Sequence, residues 1–312
     1  MQSQDEPESI DEMKLACHKK TAIKRGHTRC MTRNIPQQTI EWIVQQARAG
    51  QPPDVLLKPL IDQGWKEQDA IEAVEDAVRD YLDVHARESG LPPSVPVPSP
   101  IELNGSSVVD AGDRQVHVLA SMLLPRVIVF GGLLDATECD ELMELSRAKL
   151  KRSSVLDPET GGDQVHEDRT SAGSHFQRGG NALVARIEAR IGKLLEWPVE
   201  NGEAIQVLRY GVGAQYRPHH DYFDPEWSGS TGQLRRGGQR VASLVMYLNT
   251  PERGGATTFP EVNFEVAAVK GNAVFFSYDR PHPMTRTLHG GAPVQAGEKW
   301  IATKWLRERR HD

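Results

Sequence analysis

Between residues 37 and 86 the apolar positions recur every three to four residues, the spacing of one buried helical face. Ile40, Ile43, Val44 and Ala47 form a first stripe, and Leu56, Leu57, Leu60 and Ile61 a second. A third runs through Ala70, Ile71, Val74, Ala77, Val78 and Leu82. Pro52-Pro53-Asp54 stops one helix and can cap the next, Pro59 is expected to kink or shorten the second, and Gly64-Trp65 marks a turn.

Beyond residue 125 the pattern changes. Arg126–Phe130 reads as a strand, and Asp135 and Glu138 have the spacing of a capping box that opens a helix to about Lys149. Leu183, Ile187, Ile191 and Leu194 mark another amphipathic helix. Strands follow at Ile205–Tyr210, Val241–Leu248, Phe264–Val269, Ala273–Ser277 and Trp300–Leu306, separated by Gly- and Pro-rich turns. Helices followed by a run of strands predict an α+β domain in which helices support a sheet sandwich or barrel.

The predicted organisation has four parts: a loose extension over 1–36, a small helical module over 37–88, a linker over 89–104, and one large domain over 105–312. The linker holds SGLPPSVPVPSP, whose prolines lack amide donors and fix φ, so an extended, semi-rigid connection is expected. Three short helices around a Gly-Trp turn resemble a ubiquitin-associated-like module. Such a module implies packing or a protein partner.

Net charge is -6, which argues against nucleic-acid binding by bulk electrostatics. No window is apolar enough to span a bilayer, and the acidic start MQSQDEPESIDEMK has no secretory apolar core. Cys17, Cys30 and Cys139 are too scattered for a disulfide framework, so a cytoplasmic location is the expectation. The extension carries Lys19, Lys20, Lys24, Arg25, Arg29 and Arg33. The spacing of Cys17, His18, His27 and Cys30 within it fits no common zinc pattern, and the sequence leaves open whether the start codon is correctly assigned.

The chemistry concentrates in Tyr216-Arg-Pro-His219-His-Asp221. On a strand, positions two apart share a face, so His219 and Asp221 could grip one metal ion, while His220 faces away. His289, in Thr287-Leu-His-Gly-Gly291, is the candidate third ligand. Two histidines and a carboxylate on one face suit non-haem Fe(II) and leave three positions open. Ten residues on, Lys299 begins an otherwise apolar strand. By the two-residue period Lys299, Trp305 and Arg307 share one face. A cation inside a barrel needs an anionic partner, and a dicarboxylate would supply one. His282 and His311 have no supporting context.

These spaced motifs resemble the prolyl 4-hydroxylase family from about residue 125 to 310. They are Gln206-Val-Leu-Arg-Tyr210-Gly, Tyr216-Arg-Pro-His219-His-Asp221, Gly238-Gln-Arg240, Met246-Tyr-Leu248 and Gly254-Gly-Ala-Thr257-Thr-Phe-Pro260, then His289 and Lys299-Trp-Ile-Ala-Thr-Lys304-Trp305. The resemblance implies a double-stranded β-helix, or jelly roll, with flanking helices. It implies Fe(II) on His219, Asp221 and His289, with Lys299 paired to the distal carboxylate of 2-oxoglutarate and Tyr210 and Thr257 donating to it. It also implies O2 as co-substrate, L-ascorbate as reductant, and release of succinate and CO2 as a substrate C–H is hydroxylated. Tyr216, Arg240 and Trp305 match substrate-side positions. Arg307 departs from a histidine found in some members and could instead grip a carboxylate.

The first expectation for the substrate is therefore a peptide or protein prolyl residue. The alternatives are a free amino acid or small metabolite on the same scaffold, or a non-catalytic metal-binding jelly roll acting as an interaction protein. The polar, Gly-rich segments 156–168 and 224–239 are candidate substrate loops.

Overall fold

The computed structural model describes residues 35–99, 106–152, 155–156, 159–160, 163–164 and 170–311. The basic cluster and the Cys17/His18/His27/Cys30 group lie outside the described residues. Two compact units are present, one ending at Pro93 and one containing the rest of the described chain.

The first unit is three helices, α1 (Gln37–Arg48), α2 (Pro53–Asp62) and α3 (Glu67–Glu88). The predicted stripes form its core, with Ile43, Leu56, Leu60, Ala70, Val74 and Val78 all buried. Pro59 does not end α2, which runs on to Asp62. Leu56 and Leu57 before the proline and Leu60 after it enter the same core, and that burial offsets one missing backbone bond. Among the described residues no helix is long and apolar enough to cross a membrane.

The second unit takes in residues 94–99, part of the predicted linker. The valines between the prolines find partners there: Val95 N–H donates to Asp279 O at 2.7 Å, and Val95 and Val97 pack on the core. Strands β1 (Val108–Asp110), β2 (Gln115–Met122) and β3 (Arg126–Gly131) lead to α4 (Ala136–Arg147). The capping box is present at its start. Asp135 accepts from Glu138 N–H at 2.8 Å, and Glu138 accepts from Asp135 N–H at 3.1 Å. Short strands β4 (Lys151–Arg152), β5 (Val155–Leu156) and β6 (Asp163–Gln164) precede β7 (Ala172–Phe176) and α5 (Ala182–Leu194). Then come β8 (Ile205–Tyr210), β9 (Tyr216–His219), a short helix α6 (Ser230–Arg235) inside the predicted 224–239 loop, and β10 (Arg240–Tyr247). The remaining strands are β11 (Arg253–Gly254), β12 (Thr257–Phe259), β13 (Phe264–Val266), β14 (Ala273–Ser277), β15 (His289–Gly291), β16 (Val294–Ala296) and β17 (Lys299–Arg307).

Nine of these strands form an antiparallel sheet in the order β1-β2-β3-β14-β10-β17-β8-β7-β4, and four form a second sheet, β13-β12-β15-β9. The central strands of the large sheet are buried on both faces, which explains the unbroken apolar runs of residues 244–247 in β10 and 273–276 in β14. Leu244, Met246, Phe275, Trp300 and Ala302 pack in one cluster with Leu142 of α4 and Ile187 of α5. The alternate residues Val245, Tyr247, Phe276 and Ile301 pack in another with Phe259 and Val266 of the small sheet. His289 packs on Phe276, and the Lys299 ammonium faces Tyr210 and Tyr247, all three in this second cluster.

Candidate functional site

Strands β9 and β15 are neighbours, and His219 stands opposite His289 in their register. A side chain at Gly290 would come within 3.0 Å of Tyr216 O, so glycine there lets the strands close. Asp221 is placed differently from expectation: β9 ends at His219, and Asp221 sits on the bend that follows. It still converges with the histidines. His219 Nε2 lies 3.5 Å from Asp221 Oδ1, and His289 Nε2 lies 3.5 Å from Oδ2. One ligand atom from each of the three residues falls within 4.8 Å of the others.

Both imidazoles are held in the tautomer a metal requires. His219 Nδ1 is 2.9 Å from Arg217 O, and His289 Nδ1 is 3.0 Å from Thr287 O. A carbonyl only accepts, so each Nδ1 carries the proton and each Nε2 keeps its lone pair. Burial pushes His289 down to about 4, which keeps it neutral. Burial pushes the Asp221 carboxyl up, but His289 and His219, once acid protonates them, together with Arg240 outweigh that and hold it well below the usual carboxylate range. Two imidazole nitrogens and one carboxylate on one side of a shared centre fit Fe(II). His220 stacks on Tyr222 at 4.7 Å instead, His282 Nδ1 accepts from Met284 N–H, and His311 lies outside the cluster.

Further groups hold Asp221 in place, and the sequence reading had missed two of them. Ser243 Oγ donates to Asp221 Oδ2 at 2.6 Å, and Tyr278 Oη lies 3.0 Å from Ser243 Oγ. Arg240 Nη1 donates to the Asp221 carbonyl at 3.3 Å.

Lys299 opens β17 opposite Tyr210 on β8 and is 3% exposed. Its ammonium lies 5.7 Å from the Tyr210 ring centre and 5.9 Å from that of Tyr247. No carboxylate among the described residues pairs with it, and burial lowers it to about 8. Tyr247, quoted in the motif but not singled out, donates to Thr257 Oγ at 2.8 Å, which leaves the Thr257 proton free to donate. The Gly254-Gly255 turn permits this approach: both have positive φ, and a side chain at Gly255 would meet Lys299 Cδ at 3.1 Å. The result is a buried cation beside two tyrosine rings, one of which is hydrogen-bonded to Thr257, an arrangement suited to a carboxylate.

On the other side, Tyr216 stacks on His219 with ring centres 3.7 Å apart. The Arg240 guanidinium lies over Trp305 at 4.1 Å and Phe223 at 4.6 Å. Arg307 does not do what its charge suggested. It is fully buried, donates to Glu203 Oε1 at 2.9 Å, and gives its other nitrogens to the carbonyls of Gly238 and Gln233. Glu203, which the sequence reading overlooked, also takes both oxygens to Arg240, at 2.7 and 2.9 Å. Burial pushes Glu203 up, yet Arg240 and Arg307 bring it down to about 2. Arg307 is therefore a structural counter-ion, not a group reaching for a substrate carboxylate. The two candidate loops touch: Ser228 Oγ donates to Glu159 O at 2.8 Å.

Comparison with known proteins agrees with this chemistry. The profile described as the 2OG-Fe(II) oxygenase superfamily matches residues 205–307. Prolyl 4-hydroxylase 5 of Arabidopsis thaliana is 37% identical over 216 residues, covering 62% of this chain and 72% of that protein. Prolyl 4-hydroxylase 1 of the same plant is 40% identical over 204 residues, covering 59% and 70%. Among solved structures, the viral collagen prolyl hydroxylase of Paramecium Bursaria Chlorella virus-1 in its 2OG complex is 30% identical. That match covers 58% of this chain and 95% of the viral chain at a TM-score of 0.45. With this similarity spanning most of its curated relatives, the chain belongs to the prolyl 4-hydroxylase family of 2-oxoglutarate- and Fe(II)-dependent oxygenases.

Proposed function

We propose that this protein hydroxylates a prolyl residue within an extended peptide, with Fe(II) on His219, Asp221 and His289 and 2-oxoglutarate anchored by Lys299. The observation that carries this reading is one juxtaposition: a His–Asp–His cluster whose ligand atoms lie within 4.8 Å, with His289 against Phe276, and a buried lysine, with no carboxylate partner among the described residues, against Tyr210 and Tyr247 of the same apolar cluster. Bound iron supplies the activation of O2, coupled to oxidative decarboxylation of 2-oxoglutarate to succinate and CO2.

The chain's own residues bind, orient and shield. Lys299 takes the distal carboxylate, with Thr257 and Tyr210 donating to it, and Tyr247 holds Thr257 in place. Tyr216 and Trp305 offer flat faces to a pyrrolidine ring, and the Arg240 hydrogens not spent on Glu203 and Asp221 can meet peptide carbonyls. A proline-rich peptide already favours polyproline II, so little ordering entropy is lost on binding. The contact between Ser228 and Glu159 supports a clamp formed by the two loops. The two facing sheets are consistent with the double-stranded β-helix, L-ascorbate is the reductant we assign, and the three-helix unit is assigned to a protein partner.

Direct competition tests the substrate. Free L-proline, a proline-rich peptide and an acidic proline-containing peptide are incubated with enzyme, Fe(II), 2-oxoglutarate and ascorbate, and hydroxylated product is quantified by mass spectrometry. The proline-rich peptide should be consumed first. Hydroxylation of free proline with both peptides inert would replace this reading with the small-metabolite one.

A further inference from the structure

Asp221 lies past the end of β9, on a bend, so no strand ladder fixes its carboxylate. What fixes it comes from the large sheet. Ser243 on β10 is fully buried, opposite Phe276 of β14 and Trp305 of β17. Its single proton goes to Asp221 Oδ2 at 2.6 Å. Tyr278, just past β14 and itself buried, has its hydroxyl 3.0 Å from Ser243 Oγ. Ser243 has no second proton, so Tyr278 must be the donor in that pair. The two hydroxyls therefore point one way, toward one carboxylate oxygen. Each oxygen faces one imidazole nitrogen at 3.5 Å, Oδ1 that of His219 and Oδ2 that of His289, and of the two it is Oδ2 that accepts from Ser243.

We propose that Ser243, backed by Tyr278, is a positioning residue that holds Asp221 as a one-oxygen metal ligand. The inference rests on the reading that His219, Asp221 and His289 hold the metal. A carboxylate free to rotate could offer both oxygens and occupy a second coordination position. A chelating co-substrate and O2 together need every position that the three protein ligands leave open. A short charge-assisted bond to Oδ2 removes that option and fixes the direction of Oδ1.

The test is anaerobic Co(II) titration of the metal-stripped full chain, followed by calorimetry and visible absorption. Ser243→Ala should bind Co(II) ~10–100-fold more weakly than wild type, with a shifted visible spectrum. Tyr278→Phe should show the same shift with a smaller loss, and Ser243→Thr should restore both readouts. Wild-type affinity and spectrum in Ser243→Ala would overturn the proposal, as would a Ser243→Thr protein as impaired as the alanine variant. If Ser243→Ala does not fold by circular dichroism, Tyr278→Phe decides: an unchanged spectrum and affinity would overturn the relay. Failure of the wild type itself to bind Co(II) would instead overturn the metal-site reading beneath it.

Discussion

Lys299 should be costly to the protein until 2-oxoglutarate binds, and replacing it with methionine exposes both halves of that balance. Burial lowers its ammonium from 10.5 to about 8. At about 1.4 kcal/mol per pH unit, the protein without co-substrate bears roughly 3 kcal/mol for carrying this charge at pH 7. The sign follows from proton counting. Between pH 8 and 10.5 the unfolded chain holds the proton that the folded chain has lost, so stability without co-substrate rises with pH through that window. Lys299→Met keeps the length and apolar stem, and should raise the melting temperature of the co-substrate-free protein at pH 7. The upper bound is about 12 °C, at 2–4 °C per kcal/mol for a chain of this size. The same change removes a charge-assisted contact worth ~1.5–3 kcal/mol, so 2-oxoglutarate should bind roughly 10–150-fold more weakly. Calorimetry with Mn(II)-loaded protein under argon measures this. In wild type, affinity should fall about tenfold per pH unit above pH 8, while the methionine variant should show no such slope. Affinity within twofold of wild type, together with an unchanged pH profile, would refute the assignment of Lys299 to the co-substrate.

Further outcomes can be set beside this one. His219→Ala, Asp221→Ala and His289→Ala should each abolish Fe(II)-dependent succinate release, and full activity in any one would remove that residue from the site. Arg307→Ala should destabilise the fold by ~3–5 kcal/mol in denaturant titration, because it strips one cation from the buried Glu203. Glu203, held at about 2, contributes stability that is present above about pH 4.5 and lost as pH falls toward 2; in Glu203→Gln that part of the acid transition should disappear. A chain starting at residue 94 should melt above one starting at residue 105, by ~1–3 kcal/mol of stability, since only the longer one keeps Val95 and Val97 on the core.

The parts of this protein that could be read in one dimension are those specified by local pattern. The helix at Asp135 was legible because both halves of its capping box lie within four residues. Strands β10 and β14 were legible because burial on both faces leaves few polar interruptions, and β17 because its apolar residues 300–302 and 305–306 dominate despite four polar ones. By contrast β2 was not, since Val116 is its one fully buried residue and its exposed positions carry mixed chemistry. The ligands His219 and Asp221 sit two apart, so their convergence could be expected even though Asp221 proved to lie beyond the strand. Ser243 and Tyr278 gave no such signal. A buried serine and tyrosine in apolar runs look like ordinary core residues, and only the alignment of β10 with β14 brings them together beside Asp221.

Arg307 shows how a long-range partner can reverse the meaning of a residue. Read alone, an added cation on the substrate side argues for an anionic substrate. Glu203, on the chain before β8, lies 104 positions away in sequence and accepts from both Arg307 and Arg240. Two buried cations then face Glu203 and the nearby Asp221, so the local charges cancel before any metal arrives. Lys299 is a buried cation with no carboxylate partner among the described residues, and it is the one we assign to the co-substrate's distal carboxylate. A free amino acid would bring a second carboxylate that neither Arg240 nor Arg307, both committed to Glu203, is free to neutralise, and burying an unpaired charge is costly. A peptide bond presents only a neutral carbonyl, which the unspent hydrogens of Arg240 can satisfy. The same arginine that first widened the range of substrates, once seen with its partner, narrows it toward a prolyl residue inside a chain.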